Sequence, residues 1–286
     1  TSATGRTTRG FDLVVDALGT SSPLAPPCGE WLAFGALWAT LAWPADGPFD
    51  EGLLQQRYTH ARQMVGVLPT GLRAGGAARE LAFFWSLRAD AFEAWREAGL
   101  GAWKREVCGL WPDCERLLDQ IAHPEQLTFA RYAHRRVPEP VGDRLIHIGD
   151  AWHSASPQLG QGANLALVDA AALEDALAGA ESRGQALRRY SAARRAHLRY
   201  YQWATRFLTP FFQSDLGVLG WARDTFMGPS CRMPWVRGKM VRTMCGVERG
   251  VFFGDSLYFF RREYPKAQLL GFDSFTGLPA EKPGEV

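Results

Sequence analysis

A glycine-rich bend constrains the fold of this chain more than any other feature of its sequence. The apolar run RLIHI at 144–148 is typical of a buried strand, and it leaves through Gly149 and Asp150. One proline and two glycines then precede an alanine- and leucine-rich segment that predicts a helix to about residue 179. The unpaired N–H groups at such a helix start favour anions, and Asp150 can accept hydrogen bonds from hydroxyl groups. The sequence therefore predicts a ligand site at 149–164.

The residues before the bend predict an antiparallel sheet followed by helices. Three apolar runs, at 34–43, 62–70 and 81–89, are separated by Gly, Pro and Asp clusters, which favours strands of an antiparallel sheet. From about residue 90 the apolar spacing becomes helical, with a break at Pro112, and strand character returns at 127–137.

The two ends of the chain add a short strand and a helical region. FDLVVDALG at 11–19 predicts a buried strand that ends in a turn at Gly19. A long helix is expected over roughly 184–208, stopping before Pro210, and shorter helical pieces fill 215–245.

Composition excludes several classes of protein. The 286 residues are 47% hydrophobic and 22% charged with a net charge of +2, which predicts a globular chain that binds no nucleic acid. The basic cluster at 188–201 favours the solvated face of a helix over a membrane-surface or polyanion site. Five cysteines without ligand spacing argue against disulfides and against a metal site, and they favour the cytoplasm. No apolar run reaches the roughly 18 residues of a transmembrane segment.

The full pattern of the bend is more specific than a glycine turn. GDAWH at 149–153, PQLGQGAN at 157–164 and DA at 169–170 together resemble the second flavin-binding motif of FAD-dependent aromatic-ring hydroxylase-type monooxygenases. The resemblance implies that Asp150 holds a ribityl hydroxyl of FAD and that the loop lies beside the pyrophosphate and the flavin ring. Trp152 replaces a small residue of the family and is expected to narrow this space. The implied FAD-binding residues here are Gly149, Asp150, Pro157, Gly160, Gln161, Gly162, Ala163 and Asn164.

A second stretch extends the resemblance towards the N-terminus. DLVVDALG at 12–19, followed by Ser22, is similar to the family's strand that ends in Asp-Gly before a serine loop. Leu18 stands at the aspartate position, whereas Asp16 lies two residues earlier and on the same strand face. Asp16 and Gly19 are therefore further FAD-binding candidates, and whether Asp16 replaces the family's aspartate stays open here.

The resemblance covers about residues 10–248 and implies a mixed α/β fold. It comprises a partial FAD-binding Rossmann-like domain with an antiparallel-sheet substrate domain, a helical C-terminal region and a truncated βαβ tail. The family's first unit, a GxGxxG turn, does not occur in this sequence, so we expect these residues alone to hold FAD weakly or not at all. The expected boundaries are 1–30 and 141–180 for the FAD-binding domain, 31–140 for the substrate domain, 181–245 for the helical region and 246–286 for the tail.

The function implied is hydroxylation of an apolar or aromatic small molecule, with FAD as cofactor and NAD(P)H and O₂ as co-substrates. The sequence shows no acid–base dyad. His153 lies near the expected flavin position and is the one catalytic candidate, but a packing or hydrogen-bonding role is favoured for it, and His147 is expected to be structural. His134 and Arg131 are candidates to face the substrate. The aromatic residues Trp38, Trp43, Phe83, Phe84 and Trp85 line the substrate site or simply form the core.

The tail resembles a different family. GVFFGDS at 250–256 and GFDSFTGLP at 271–279 are similar to S-adenosylmethionine (SAM)-dependent O-methyltransferases of the macrocin type. The resemblance implies that Gly250, Gly254 and Asp273 are the remnant of a SAM site. The join falls near 245–250, and we expect no methyl transfer by so short a piece.

Three alternatives to a hydroxylase stay open at this level. A reductase or halogenase on the same scaffold is one. An incomplete or chimeric product without catalysis is the second, and it agrees with chain ends that look cut. The third is the remnant of a bifunctional hydroxylase and O-methyltransferase.

Overall fold

A computed structural model describes residues 10–73 and 75–248 of the chain. These residues form two compact units. The first comprises 10–30, 133–205 and 246–248, and the second comprises 31–132 and 206–245. Strands and helices are mixed, as the sequence predicts. The strands are β1 (Val14–Asp16), β2 (Glu30–Ala42), β3 (Gln55–Thr59), β4 (Gln63–Leu72), β5 (Arg79–Arg88), β6 (Thr128–His134) and β7 (Leu145–His147). The helices are α1 (Phe92–Leu110), α2 (Glu115–Leu118), α3 (Asp150–His153), α4 (Gly162–Ala178), α5 (Arg183–Phe212), α6 (Gly217–Ala222), α7 (Gly228–Cys231) and α8 (Pro234–Met244).

A five-stranded sheet dominates the second unit, in the order β3-β4-β5-β2-β6. The pairs β2–β5, β3–β4 and β4–β5 are antiparallel, which confirms the antiparallel sheet predicted from the three apolar runs. Sequence reasoning missed β3, because its segment QQRYT carries a single aromatic residue among polar ones and shows no clear alternation.

The core of this unit lies between one face of the sheet and helices α1 and α2. Alternation along the strands directs Leu37, Phe83 and Trp85 to this face, where they pack with Trp103 and Val107 of α1. Together with the other members of the cluster, these side chains exclude water from the layer between sheet and helices.

The opposite face of the sheet carries a second set of aromatic residues. Trp38 and Phe84 are directly opposed on β2 and β5, and their rings stack at a centroid distance of 4.8 Å. The Trp38 indole N–H also donates to the hydroxyl of Tyr132 at 3.3 Å. The prediction that these aromatic residues form the core is thus confirmed for Phe83 and Trp85, while Trp38 and Phe84 lie on the other face of the sheet.

The helices lie where the sequence predicts them, but α5 ends later than expected. α1 contains a break at Gly99, whose φ of +79° is left-handed and therefore favours glycine. The expected stop before Pro210 is wrong, because α5 runs from Arg183 to Phe212 and includes this proline. Pro210 lies in the last turn, where it removes only one backbone hydrogen bond and leaves the Gln213 N–H bonded to the Thr209 carbonyl.

The first unit is built on a short parallel pair of strands. β1 pairs with β7 so that Asp16 lies opposite His147. The predicted buried strand at 11–19 is wrong in length and burial, since β1 has three residues and Val14 and Val15 are exposed. The physical reason is that β7 is the only strand paired with β1 among the described residues, and the valines have no packed layer over them.

Two further expectations from the sequence concern the tail and membrane-spanning helices. The predicted strand, Gly turn, helix and second strand of the tail, at 246–279, lie almost entirely outside the described residues. Within residues 10–73 and 75–248, no helix combines the length and the apolar character needed to cross a bilayer.

Replacing Gly66 in β4 tests the sheet packing. A Cβ at this position would overlap the ring of Phe84, so we expect Gly66→Ala to lower the free energy of unfolding by about 1–3 kcal/mol. Gly109 of α1 is the matched control, because a Cβ there meets no atom within 4 Å, and Gly109→Ala should be neutral or stabilising by up to about 1 kcal/mol. Urea unfolding of both variants makes the comparison. Equal stability of the two would contradict the described packing of Phe84 on Gly66.

Candidate functional site

The two predicted flavin-binding motifs lie next to each other, at the carboxyl ends of the parallel strands β1 and β7. β1 and β7 run in the same direction, and the Ile148 N–H donates to the Asp16 carbonyl at 3.0 Å. In open α/β sheets ligands bind outside the carboxyl ends of parallel strands. The bend at 149–164 and the turn after Asp16 therefore share one edge of the first unit.

Gly149 makes the bend possible. Its φ of +56° and ψ of −141° reverse the chain between β7 and α3, a conformation that residues with a Cβ rarely adopt. A Cβ there would also come within 3.0 Å of the Ala166 Cβ on α4. Glycine is thus required both for the backbone angle and for the close approach of α4.

A single buried carboxylate, that of Asp169, fixes this bend from the interior of the unit. Asp169 on α4 is fully buried, and its Oδ2 accepts the Gly149 N–H at 2.8 Å. The same oxygen lies 2.6 Å from His153 Nε2 at the end of α3, and Oδ1 accepts from Arg194 Nε of α5 at 2.7 Å. Asp169 therefore joins the bend, α3 and α5 in one network. Sequence reasoning quoted Asp169 as part of the motif but assigned it no role.

The electrostatics of this network favour an ionised carboxylate. Burial by itself raises the pKa of Asp169, because it penalises the charged form. The hydrogen bonds and charges of His153 and Arg194 outweigh burial, and the pKa of Asp169 falls below its usual value of 3.8. Arg194 also contacts His197, which in turn lies 2.9 Å from the Gly246 carbonyl oxygen. A chain of polar contacts thus runs through the interior of the unit.

Asp150 differs from Asp169 in being open to a ligand. Its side chain is exposed, and Oδ1 lies 4.0 Å from the position of a Cβ on Gly162, the first residue of α4. Among the described residues, no side chain or backbone group forms a hydrogen bond with this carboxylate. Neighbouring protein atoms nevertheless desolvate it enough to raise its pKa, and His153 partly offsets this effect. Asp150 is an available acceptor beside a helix start.

The start of α4 offers backbone donors to the same space. Gln161 is the N-cap, but no side chain caps the helix, and the first intrahelical hydrogen bond is that from Leu165 N to the Gln161 carbonyl. The N–H groups before Leu165 therefore lack helical acceptors and carry the positive end of the helix dipole.

The loop before α4 is shaped by Gly160 and anchored by Leu159. Gly160 has a left-handed φ of +60° and closes a turn by donating its N–H to the Pro157 carbonyl at 2.9 Å. Leu159 is buried, which ties the loop to the interior. Of the predicted FAD-binding residues in the motif, Asp150, Pro157, Gly160, Gly162 and Ala163 are exposed, Asn164 is half-buried, and Gly149 and Gln161 are buried.

Trp152 does not narrow this space. Its ring is directed into the interior, where it packs on Tyr190 at 5.5 Å, and its indole N–H donates to the Val137 carbonyl at 3.1 Å. The expectation that a large residue here would crowd the cofactor is therefore wrong, because the side chain belongs to the core. His153 is likewise buried, in its pair with Asp169.

Asp16 is held by protein donors. Its carboxylate is buried and contacts His147 Nδ1 at 2.7 Å, Ser22 Oγ at 2.7 Å and the Leu18 N–H at 3.1 Å. Burial raises the pKa of Asp16, but these hydrogen bonds outweigh it and the net shift is downward. The carboxylate fixes the turn through Gly19, and the structural role expected for His147 is confirmed. A direct role of Asp16 towards FAD stays a prediction.

The remaining candidates of the substrate region, Arg131 and His134, lie on β6. The Arg131 guanidinium stacks over the Trp31 ring at 5.2 Å, and His134 at the end of β6 is buried. Gly250, Gly254 and Asp273 lie outside the described residues. No group of three or more His, Cys, Asp or Glu side chains suited to a metal ion occurs within the described ranges.

Comparison with known proteins points to flavin binding. Residues 116–202 match the family model described as FAD binding domain, a range that includes the whole bend and the Asp169 network. Kynurenine 3-monooxygenase of Salinispora arenicola (strain CNS-205) is 35% identical over 91 residues, which is 30% of this chain and 20% of that protein. The chain thus matches about a fifth of the relative's length. The matched part supports an FAD-binding domain of the FAD-dependent aromatic hydroxylase type.

Solved structures share the fold. HpxO of Klebsiella pneumoniae, solved with FAD and uric acid, is 20% identical with a TM-score of 0.64, over 82% of this chain and 60% of that chain. PqsL of Pseudomonas aeruginosa, solved with 2-aminobenzoylacetate, is 20% identical with a TM-score of 0.58, over 73% of this chain and 58% of that chain. At these identities the likeness establishes the mixed α/β fold of FAD-dependent monooxygenases.

Acid should weaken the Asp169 network, because protonation removes the negative charge that its partners bind. Because its folded-state pKa lies below 3.8, Asp169 stabilises the fold above pH 3.8, and this contribution is lost as the pH falls below that value towards the folded-state pKa. At neutral pH, Asp169→Asn leaves Arg194 buried without its anion and should cost about 3–5 kcal/mol of unfolding free energy.

The control for this substitution is Asp175→Asn, an exposed position on the same helix, which should change stability by less than about 0.5 kcal/mol. Urea unfolding between pH 3 and pH 7 measures both effects. If Asp169→Asn matches the control in stability and in pH dependence, the network does not fix the bend.

Proposed function

We propose that this chain carries the flavin-binding segment and the substrate domain of an FAD-dependent monooxygenase. It would hydroxylate an apolar or aromatic small molecule with NAD(P)H and O₂. One observation supports this most strongly: the Asp150 carboxylate has no hydrogen-bonding partner among the described residues and lies beside the uncapped start of α4. This arrangement falls inside the range that matches the FAD binding domain.

The donor and acceptor groups at this edge fit the chemistry of FAD. A ribityl chain presents hydroxyl donors, which an exposed carboxylate such as Asp150 can accept. A pyrophosphate presents anionic oxygens, which suit the free N–H groups and the dipole at the start of α4. Gly160 and Gly162 keep side chains out of the approach to this backbone.

The roles of the protein follow from these contacts. When bound, FAD would supply the redox chemistry of hydroxylation, with NAD(P)H as reductant and O₂ as oxidant. Asp150 and the start of α4 bind and orient the cofactor. Asp169, together with His153 and Arg194, holds the bend so that Asp150 is placed before the ligand arrives. We assign His153 this positioning role rather than proton transfer, because it is buried against Asp169.

The proposed substrate is small and apolar or aromatic. HpxO and PqsL were solved with uric acid and 2-aminobenzoylacetate, and kynurenine 3-monooxygenase is named for an aromatic substrate. In this chain, the stacked pair Trp38–Phe84 and the Tyr132 hydroxyl form a semi-polar aromatic face on the sheet. We propose this face of the substrate domain for substrate contact, with residues 1–30 and 141–180 contributing to the FAD-binding domain and 181–245 to a helical region.

Two further proposals concern location and the tail. All five cysteines carry free thiols, which agrees with a reducing cytoplasm. For residues 246–286 we retain the proposal of a truncated segment like the start of a SAM-dependent O-methyltransferase. Its support is the sequence pattern around Gly250, Gly254 and Asp273. A product without any catalysis is not favoured, because the match to the FAD binding domain and the likeness to FAD-dependent monooxygenases support a flavin enzyme.

The test of the proposed function is titration of the purified chain with FAD, followed by flavin fluorescence. The expected result is saturable binding that Asp150→Asn weakens about tenfold, since the substitution removes a charged acceptor for a ribityl hydroxyl. Asp175→Asn on α4 is the matched control and should bind FAD as the unchanged chain does. The binding should be weak, since the GxGxxG turn does not occur in this sequence, and equal affinity of the Asp150 and Asp175 variants would refute the proposal.

A further inference from the structure

A groove along α5 has no part in the flavin site described above. It has a volume of about 830 Å³ and lies entirely within the first unit. One wall is the helix from Arg183 to Arg199, and the other is the loop 139–143. Leu187 and Ser191 are buried, whereas the groove-lining Ala192 and Ala196 are exposed and small, so the helix can be approached closely.

The groove carries an excess of positive charge. Four arginines and two carboxylates line it, which leaves two positive charges without compensation. Arg183 pairs with Asp143 at 3.2 Å, and Arg195 pairs with Glu139 at 3.5 Å. The other two, Arg188 and Arg199, are exposed and have no ion pair or hydrogen bond among the described residues.

Helix geometry places three of the groove's four arginines on the same side of α5. Arg188, Arg195 and Arg199 are spaced by seven and four residues, and such spacing places side chains on the same helix face. The rise of an α-helix separates Arg188 from Arg199 by about 16 Å along the axis. The two unpaired guanidinium groups therefore stand near opposite ends of the groove, with Arg195 between them.

We infer that this groove binds an elongated, phosphate-bearing small molecule of the dinucleotide class, which replaces the expectation that the basic cluster at 188–201 is only the solvated face of a helix. Guanidinium groups bind phosphate oxygens through paired N–H donors, and two separated groups select a ligand whose anionic groups are also separated. A single inorganic anion can reach only one of the two unpaired arginines. The inference deepens the proposed function, on which it rests, because NAD(P)H, the reductant proposed there, belongs to this class.

The experiment is calorimetric titration of the purified chain at low salt with three probes: NADPH, NADH and inorganic pyrophosphate. NADPH carries a third phosphate apart from its pyrophosphate and should bind most tightly, while pyrophosphate alone should bind most weakly. Arg188→Gln combined with Arg199→Gln should weaken NADPH binding about tenfold. Affinity should also fall as NaCl is added, because the arginines are exposed.

Two control variants separate the groove from general effects of charge. Arg105→Gln removes an exposed arginine of α1 that lies outside the groove and should leave NADPH binding unchanged. Glu139→Gln releases Arg195 from its ion pair and should strengthen NADPH binding about threefold, an effect that misfolding could not produce.

Several outcomes would overturn the inference. These are equal NADPH affinity of the double variant and the unchanged chain, no gain in NADPH affinity with Glu139→Gln, or no binding of any of the three probes.

Binding to vesicles that contain an anionic phospholipid is measured as a separate experiment. If the chain binds these vesicles through Arg188 and Arg199 but binds none of the soluble probes, the groove serves a lipid surface and the inference is wrong. If Asp150→Asn lowers the affinity for NADPH as much as it lowers the affinity for FAD, the dinucleotide occupies the flavin site instead.

Discussion

The ionised carboxylate of Asp169 is the interaction on which the candidate site depends. It is buried, yet its two oxygens accept from the Gly149 backbone, from His153 and from Arg194. Each donor lies on a different part of the chain, so one side chain fixes the bend after β7, the end of α3 and the middle of α5. A buried charge is stable only with such partners, which makes the arrangement specific rather than replaceable by any polar residue.

The same network explains why the ligand edge can remain open. The bend is held from the interior by Asp169, so the Asp150 carboxylate is not needed to hold it. Asp16 repeats this arrangement on the neighbouring strand, where His147 and Ser22 fix the turn through Gly19. Buried carboxylates position the backbone, and the carboxylate proposed to bind the ligand, that of Asp150, is exposed. This division agrees with a preformed cofactor site.

Much of this arrangement could be predicted from the sequence. The spacing of Gly149, Asp150, Gly160 and Gly162 identified the bend, and the apolar runs identified three strands of the sheet. Side-chain direction could not be predicted, because it depends on packing between distant segments: Trp152 turns into the core against Tyr190, and Arg194 reaches Asp169 across 25 residues. The stop at Pro210 failed for a local reason, since a proline in the last turn costs a helix little.

Amide hydrogen exchange at the start of α4 tests the account most directly. The N–H groups of Gly162, Ala163 and Asn164 precede the first intrahelical hydrogen bond, whereas that of Leu165 is bonded to the Gln161 carbonyl. Measured residue by residue, the first three should exchange fast in the chain alone and slow markedly when FAD is added, with Leu165 protected throughout. Exchange at these three amides that FAD leaves unchanged, while FAD is bound, would place the cofactor elsewhere and contradict the account.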